Sequence, residues 1–253
     1  MKMKNIKKIT SVILFLLLYN AGKTQAPVTS YSTNWWNGII GHYRLSDKWG
    51  LYDELHIRRA NYLETWQQFL FRPGINYFLN DNVVFTLGYT YIQTYPYGSQ
   101  PVPTVIPENN IWQQEILKHK KGKVSITHRY RWEERFIGKA ILDTEKNNYI
   151  ISGTNYTNRF RYRIIVGVPI KNNWSFTFYD EVFISIDKKM QQFGFNQNWI
   201  TGLINYKVSE NLKISVGMMQ QYFKKSDGIH YENNPTIQFG IGYKFDFRKN
   251  ESK

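Results

Sequence analysis

Cysteine is absent from this chain of 253 residues, and acidic residues are scarce beside basic ones. The lack of cysteine excludes a disulfide-stapled scaffold and a cysteine-ligated zinc site. Lysine and arginine number 33 against 19 aspartates and glutamates, which gives a formal net charge of +14. Aromatic residues, in contrast, make up 17% of the chain although its mean hydropathy is -0.50. That combination suits strands that are apolar on one face only.

The N-terminus has the features of a cleavable secretory signal. A basic start (Lys2, Lys4, Lys7 and Lys8) precedes an apolar run over residues 9–19 and a small-residue end at Ala26. This order predicts a signal peptide over residues 1–26, cleaved after Ala26. The alternative is an anchor helix, but the run is shorter than the roughly 20 residues that a spanning helix needs. Cleavage removes five lysines and leaves a mature domain, residues 27–253, with a net charge of about +9.

Strict alternation of apolar and polar side chains runs through the rest of the chain. Val83, Phe85 and Leu87, for example, alternate with Val84, Thr86 and Gly88, whereas no segment has a helical period. The pattern predicts an all-β chain with strands at 35–46, 49–60, 65–79, 82–95, 111–119, 123–135, 156–170, 173–186, 196–208, 211–223 and 235–247. Most are about a dozen residues long, as tilted membrane strands are.

Short turns alternate with long connections at 96–110, 136–155, 187–195 and 224–234. This alternation is typical of a transmembrane antiparallel up-and-down β-barrel, with short periplasmic turns and long external loops. If the N-terminus is periplasmic, one more strand is needed before residue 35, and residues 28–34 are the place for it. The prediction is a single barrel of about 12 strands. The alternative is 10 strands, if a weak segment such as 111–119 does not span.

The placement of arginine argues against a soluble β-sandwich, which would alternate in the same way. Arginines fall mostly within predicted strands and lysines mostly in turns and loops, whereas a solvated sheet would mix them. In a narrow lumen, the planar guanidinium pairs well with carboxylates of neighbouring strands. We therefore expect a lumen charge cluster of Glu54, Arg58, Arg72, Glu115, Arg129, Arg131, Glu133, Arg135, Arg159, Arg161, Arg163 and Glu181.

This cluster has two interpretations. One is a salt-bridged filler that stiffens a small barrel, because small barrels fill their interiors with side chains. The other is an anion-selective constriction or a site for an acidic ligand. Glu133 is the single acid on the inward face of its strand, between Arg131 and Arg135.

The expected partners are those of an outer-membrane protein. The last strand ends in the alternating aromatics Tyr243, Phe245 and Phe247, which resemble the strand that the barrel-assembly machinery reads. Lysines in the predicted external loops would face outer-membrane lipid and lipopolysaccharide phosphates (Lys139, Lys146, Lys188, Lys189, Lys224 and Lys225). The positive charge does not gather on one helix, so nucleic acid is not an expected partner.

The order of landmarks resembles the family of outer-membrane barrels known as domain of unknown function 2490. The features that carry the resemblance are, in chain order, Lys48-Trp49-Gly50-Leu51, Glu54 and Arg58, Leu70-Phe71-Arg72-Pro73-Gly74, Gly88-Tyr89, the block from His128 to Phe136, and Arg159-Phe160-Arg161-Tyr162-Arg163. They are spread over nearly all of the mature chain. The resemblance implies a barrel of the outer membrane and no particular activity.

No catalytic motif is recognisable. The alternative function, a lipid-modifying outer-membrane enzyme, would need a nucleophile, a base and an orienting group. None of the five histidines lies in such a pattern, and His128 shares the apolar parity of Tyr130 and Trp132. We expect no catalytic residue, no metal and no cofactor. The functions left open are a narrow or plugged channel and a structural or surface-interaction barrel.

Overall fold

A computed structural model describes residues 28–99, 101–186, 194–225 and 228–248. These residues form twelve β-strands, eleven of them closed into one barrel, so the predicted all-β barrel and the total of about 12 strands are confirmed. The strands are β1 (Val28–Ser30), β2 (Asn34–Arg44), β3 (Trp49–Ala60), β4 (Thr65–Phe78), β5 (Val83–Thr94), β6 (Ile106–Lys121), β7 (Val124–Asp143), β8 (Asn148–Pro169), β9 (Trp174–Ser185), β10 (Gly194–Lys207), β11 (Leu212–Lys224) and β12 (His230–Asp246). The predicted signal peptide lies outside the described residues.

From β2 to β12, each strand pairs antiparallel with the next, as the short connections require. The weak segment 111–119 belongs to β6, a full strand of 16 residues, so the ten-strand alternative is excluded. Among the described residues, no helix is long and apolar enough to cross a membrane.

The barrel closes through a parallel pair, β2 with β12, and this differs from the expected closure. Val28 pairs with His230 and Asn34 with Thr236, so β1 and β2 follow the same edge of β12 in one register. The predicted N-terminal segment does form a strand, but β1 has only three residues and continues the line of β2, so it does not cross the barrel as a separate strand. Eleven strands form the closed ring, and an odd number forces the first and last strands to run in the same direction.

The long connection expected at 136–155 is a second departure. β7 and β8 continue past their neighbours as a two-stranded ribbon, which we call the β7–β8 ribbon (residues 138–158). The last β6 contact of β7 is at Ile137, and the first β9 contact of β8 is at Arg159. A tight turn with Asn147 at φ 48° joins the two legs. The residues expected to loop are instead extended, because β-branched and aromatic side chains continue into both legs.

The outward faces form an apolar belt between two aromatic girdles. Trp174 lies against Tyr206 near the short turns, and Phe195 stacks on Tyr222 near the other end. On β10, eleven residues separate Tyr206 from Phe195. At about 3.3 Å per residue and a tilt of about 40°, that is a belt of about 28 Å, the height of a membrane core.

Candidate functional site

The inward faces of β7 and β8 bring the predicted arginine-rich cluster together. Side chains at odd positions of both strands point into the lumen, and the register pairs Arg131 with Arg161 and Glu133 with Arg159. Eleven of the twelve predicted residues lie in the lumen, most of them buried: Glu54, Arg58, Arg72, Arg129, Arg131, Glu133, Arg135, Arg159, Arg161, Arg163 and Glu181. Alternation of side chains along each extended strand puts these residues on its inward face.

Glu115 is the exception, and its predicted place in the lumen is wrong. On β6 the buried positions are Trp112 and Gln114, whereas Glu115 shares its face with the exposed Ile111. Its partner on β5 is Phe85, which points outward. The error arises because a small barrel packs aromatic side chains such as Trp112 inside, so an apolar residue does not by itself mark the outer face.

Glu133 is completely buried and holds two arginines of β8. Its Oε2 accepts from Arg159 Nε at 2.7 Å, and its Oε1 accepts from Arg161 Nη1 at 2.7 Å. Arg131 Nη1 lies 3.9 Å from Oε1, beyond hydrogen-bond distance. Both oxygens of the carboxylate are thus committed to charged donors, which are the strongest kind of hydrogen bond in proteins.

Glu181 of β9 repeats this arrangement one strand further on. It accepts from Arg161 Nε at 2.8 Å and from Arg163 Nε at 2.7 Å, and Arg129 also donates to it. Arg161 therefore bridges Glu133 and Glu181, and one guanidinium ties three strands together. A buried charge in such a network is costly to leave without its partner.

Two further carboxylates serve Arg72 and Arg135. Glu54 on β3 pairs with Arg72 and accepts from the Tyr52 hydroxyl. Glu108 holds Arg135 through both oxygens, at 2.6 Å and 2.8 Å. Sequence reasoning missed Glu108 because it assigned residues 96–110 to a loop. In the structure Glu108 shares the inward face of β6 with Trp112 and Gln114, the face opposite to the one that the sequence analysis assigned to the lumen.

Aromatic rings fill the space between the charges, and the sequence did not reveal them as lumen residues. The guanidinium of Arg58 lies 3.8 Å from the centre of the Trp36 ring, and that of Arg131 lies 4.3 Å from the Trp112 ring. Phe183 packs under Arg161 at 4.4 Å. Stacking on aromatic faces is favourable for arginine, because its guanidinium is planar and weakly hydrated.

Together these side chains form what we call the lumen layer: eight arginines, four glutamates (Glu54, Glu108, Glu133 and Glu181) and the rings around them. Its centre is dry, because Arg131, Glu133, Glu181 and Trp112 are each at most 1% exposed. A water-wide path beside them would leave them exposed. Eight guanidiniums against four carboxylates leave an excess of four positive charges.

Arg131, like Arg58, has a neutral glutamine rather than a carboxylate as its side-chain hydrogen-bond partner. Its Nε and Nη2 both donate to the Gln114 side-chain oxygen, at 2.9 Å and 2.6 Å, and no carboxylate lies within hydrogen-bond distance of it among the described residues. Its Nη1 has no hydrogen-bond partner there, and neither has the indole N–H of Trp112. These donors could hold water or a small anion.

Below the layer, at the short-turn end, the lumen widens into a vestibule of about 520 Å³. Its lining includes His42, Lys118 and Lys244, and Arg44 and Asp81 form an ion pair of 2.6 Å at its rim. The Arg44 guanidinium lowers the pKa of the Asp81 carboxyl. The vestibule is therefore a cavity lined by basic side chains, and the lumen layer closes its inner end.

At the opposite end, the connection after β5 reaches back toward the lumen. Burial there raises the pKa of Tyr97 to about 12. The phenol therefore stays protonated at neutral pH. Nearby, Lys225 forms an ion pair with the buried Glu232 at 2.5 Å.

The other predicted residues lie on the outer face. Tyr243, Phe245 and Phe247 stack in sequence along β12 and just beyond it, with centroids about 6 Å apart. His128 also lies outside, where its Nδ1 is 2.8 Å from the Tyr162 hydroxyl. In the described part of the chain, no three His, Asp or Glu side chains gather as metal ligands.

A family model described as "Protein of unknown function (DUF2490)" matches residues 33–230, which is most of the chain. The chain belongs to this family. The resemblance inferred from the motifs is thereby confirmed, and the family description assigns no activity.

A comparison of this DUF2490 member with curated proteins found no match. A crystal structure of the NanC porin matches 84% of this chain and 97% of its own, at 10% identity and a TM-score of 0.48.

Proposed function

We propose that this DUF2490 member is an outer-membrane barrel that acts through its outer surface and the β7–β8 ribbon rather than as an open pore. The observation that carries the proposal is the dry centre of the lumen layer, where Arg131, Glu133 and Glu181 are at most 1% exposed. Residues that line an open pore are hydrated. The apolar belt and its two aromatic girdles support a location in a membrane.

Export and orientation follow from the same proposal. The signal over residues 1–26 would deliver the chain across the inner membrane, and the short turns would face the periplasm, as in other outer-membrane barrels. The ribbon, with Lys139 and Lys146, would then face lipopolysaccharide phosphates, and the β12 aromatics would be read by the assembly machinery. Mature protein should begin at Pro27 and fractionate with outer membrane, and recovery as a soluble periplasmic species would refute this part.

Permeability of liposomes tests the closed lumen. Vesicles that contain the wild-type barrel should retain chloride, whereas a matched variant with Trp112→Ala and Arg131→Ala should leak. These two substitutions remove the largest fully buried side chains of the layer and leave the outer face unchanged. Wild-type vesicles that leak as fast as those with the double variant would show that the lumen is open.

A narrow anion-selective pore is the second candidate, and the excess of arginine over glutamate in the lumen layer favours it. The basic vestibule below the layer would concentrate anions at its entrance. Planar bilayers under a potassium chloride gradient distinguish the candidates. A steady wild-type current whose reversal potential has the sign expected for chloride selectivity supports the pore. The absence of current supports the closed barrel.

A further inference from the structure

A band of polar side chains crosses the lipid-facing surface of β6–β10. We call it the outer strip: Glu115, His128, Tyr130, Tyr162, Asp180 and Asn198. The strand register places its members side by side. Glu115 lies opposite Tyr130, and Tyr130 lies opposite Tyr162. Tyr162 and Asn198 both lie opposite Val182, and Asp180 lies opposite Ile164 in the adjacent row.

The strip lies within the apolar belt. Asp180 is six residues from Trp174 of the lower girdle, which is about 15 Å along the barrel axis and close to the middle of the belt. Its neighbours on the outer face of β9 are Phe178 and Val182. Its carboxylate accepts from Asn198 Nδ2 at 2.5 Å, a neutral donor. A carboxylate at this depth is unfavourable in contact with lipid tails, so contact with polar groups of another protein would stabilise it.

The β7–β8 ribbon, on the same side of the barrel, also exposes a surface suited to contact with another protein. The β7–β8 ribbon exposes Ile141, Leu142, Tyr149, Ile150 and Ile151, each between 38% and 48%. Every residue from Asn148 to Tyr156 is exposed. Apolar ribbons of this kind mark interaction surfaces, and an exposed strand edge is a template for another strand.

We propose that the outer strip and the β7–β8 ribbon form one interface, and that its occupant is a second copy of this chain in the same membrane. A two-fold axis parallel to the barrel axis brings these surfaces of two copies face to face. This inference goes beyond the proposed function.

The chemistry of the surface favours a copy of itself. The strip carries both hydrogen-bond acceptors and donors. Its acids, Glu115 and Asp180, lie on either side of Tyr130 and Tyr162. The tyrosine hydroxyls of one copy can therefore donate to the carboxylates of the other. The ribbon strand from Asn147 to Asn158 carries no charge, so two copies bring no like charges together there. A partner of strongly basic or acidic character would find no matching charge on that strand.

Single cysteines test the proposal cleanly, because the chain has none of its own. Ile164→Cys lies opposite Asp180 of the outer strip and Tyr149→Cys lies in the ribbon. Leu87→Cys and Phe239→Cys are controls on the outer faces of β5 and β12. After oxidation in native membranes, the first two should give a product of twice the barrel mass and the controls should not. Equal products at all four positions, no product at the first two, or a product of another mass would each overturn the second copy as occupant.

A second measurement uses the acids themselves. Glu115→Leu with Asp180→Leu should weaken dimerisation in detergent by about tenfold or more, and Asp53→Leu, which alters an outward acid on β3, should leave it unchanged. The double variant should still fold, because leucine suits the lipid face, and its unheated gel mobility shows this. A folded double variant that dimerises as well as wild type would refute the role of the strip.

Discussion

Replacing Glu133 by Gln removes one negative charge from the centre of the lumen layer and keeps the side-chain shape. The excess of positive charge in the layer then rises from four to five. The side-chain oxygen of Gln can accept a hydrogen bond from Arg159 or Arg161. Its NH2 group then faces the other guanidinium, and because both groups are donors, no hydrogen bond forms between them. Breaking one partner of a buried charge network costs about 3–5 kcal/mol. We expect a value near the lower end, about 3 kcal/mol, because one hydrogen bond is kept.

In a domain of this size, 1 kcal/mol shifts the melting temperature by about 2–4 °C, so Glu133→Gln should lower it by about 6–12 °C. The assay is thermal unfolding in detergent, followed by tryptophan fluorescence. Glu134→Gln is the matched control. Glu134 is on the outer face, where its contact is the Tyr156 hydroxyl at 3.4 Å, and its loss should cost less than about 0.5 kcal/mol. Equal melting temperatures for wild type and Glu133→Gln would refute the buried network.

Three further predictions use the same unfolding assay. Gly88→Ala should destabilise the folded barrel by about 1–3 kcal/mol, because the new Cβ would lie 2.1 Å from the buried Trp112 ring. Gly202→Ala is the control and should be tolerated, because its Cβ would lie at an ordinary contact distance of 3.4 Å from the nearest atom. Arg161→Met should cost about 3–5 kcal/mol, because it deprives two buried carboxylates of a partner at once. Arg131→Met should be neutral or stabilising, because it removes a buried cation that has no carboxylate within hydrogen-bond distance. A loss at Arg131 as large as that at Arg161 would contradict the distinction between them.

The sequence by itself determined the faces of the strands. Side chains of an extended chain alternate sides, so the parity of Arg129, Arg131 and Glu133 was enough to direct them into the lumen. The same rule failed at Glu115, because Trp112 on the neighbouring parity is a buried lumen residue rather than a lipid-facing one. Alternation distinguishes two faces, but it does not say which face is inside when both carry apolar and polar residues.

Only the tertiary structure decided which inward residues meet. Arg161 bridges Glu133 and Glu181 because the β7–β8 and β8–β9 registers bring three strands to one level, and register depends on contacts between strands. Closure was decided in the same way: β1 and β2 share one edge of β12, so eleven strands complete the ring. The β7–β8 ribbon was not predicted either, because its two legs are held by pairing with each other rather than by an apolar face of the barrel wall, and that pairing is not visible in the local sequence. Local alternation fixes the direction of each side chain, whereas its partners depend on strands far away along the chain.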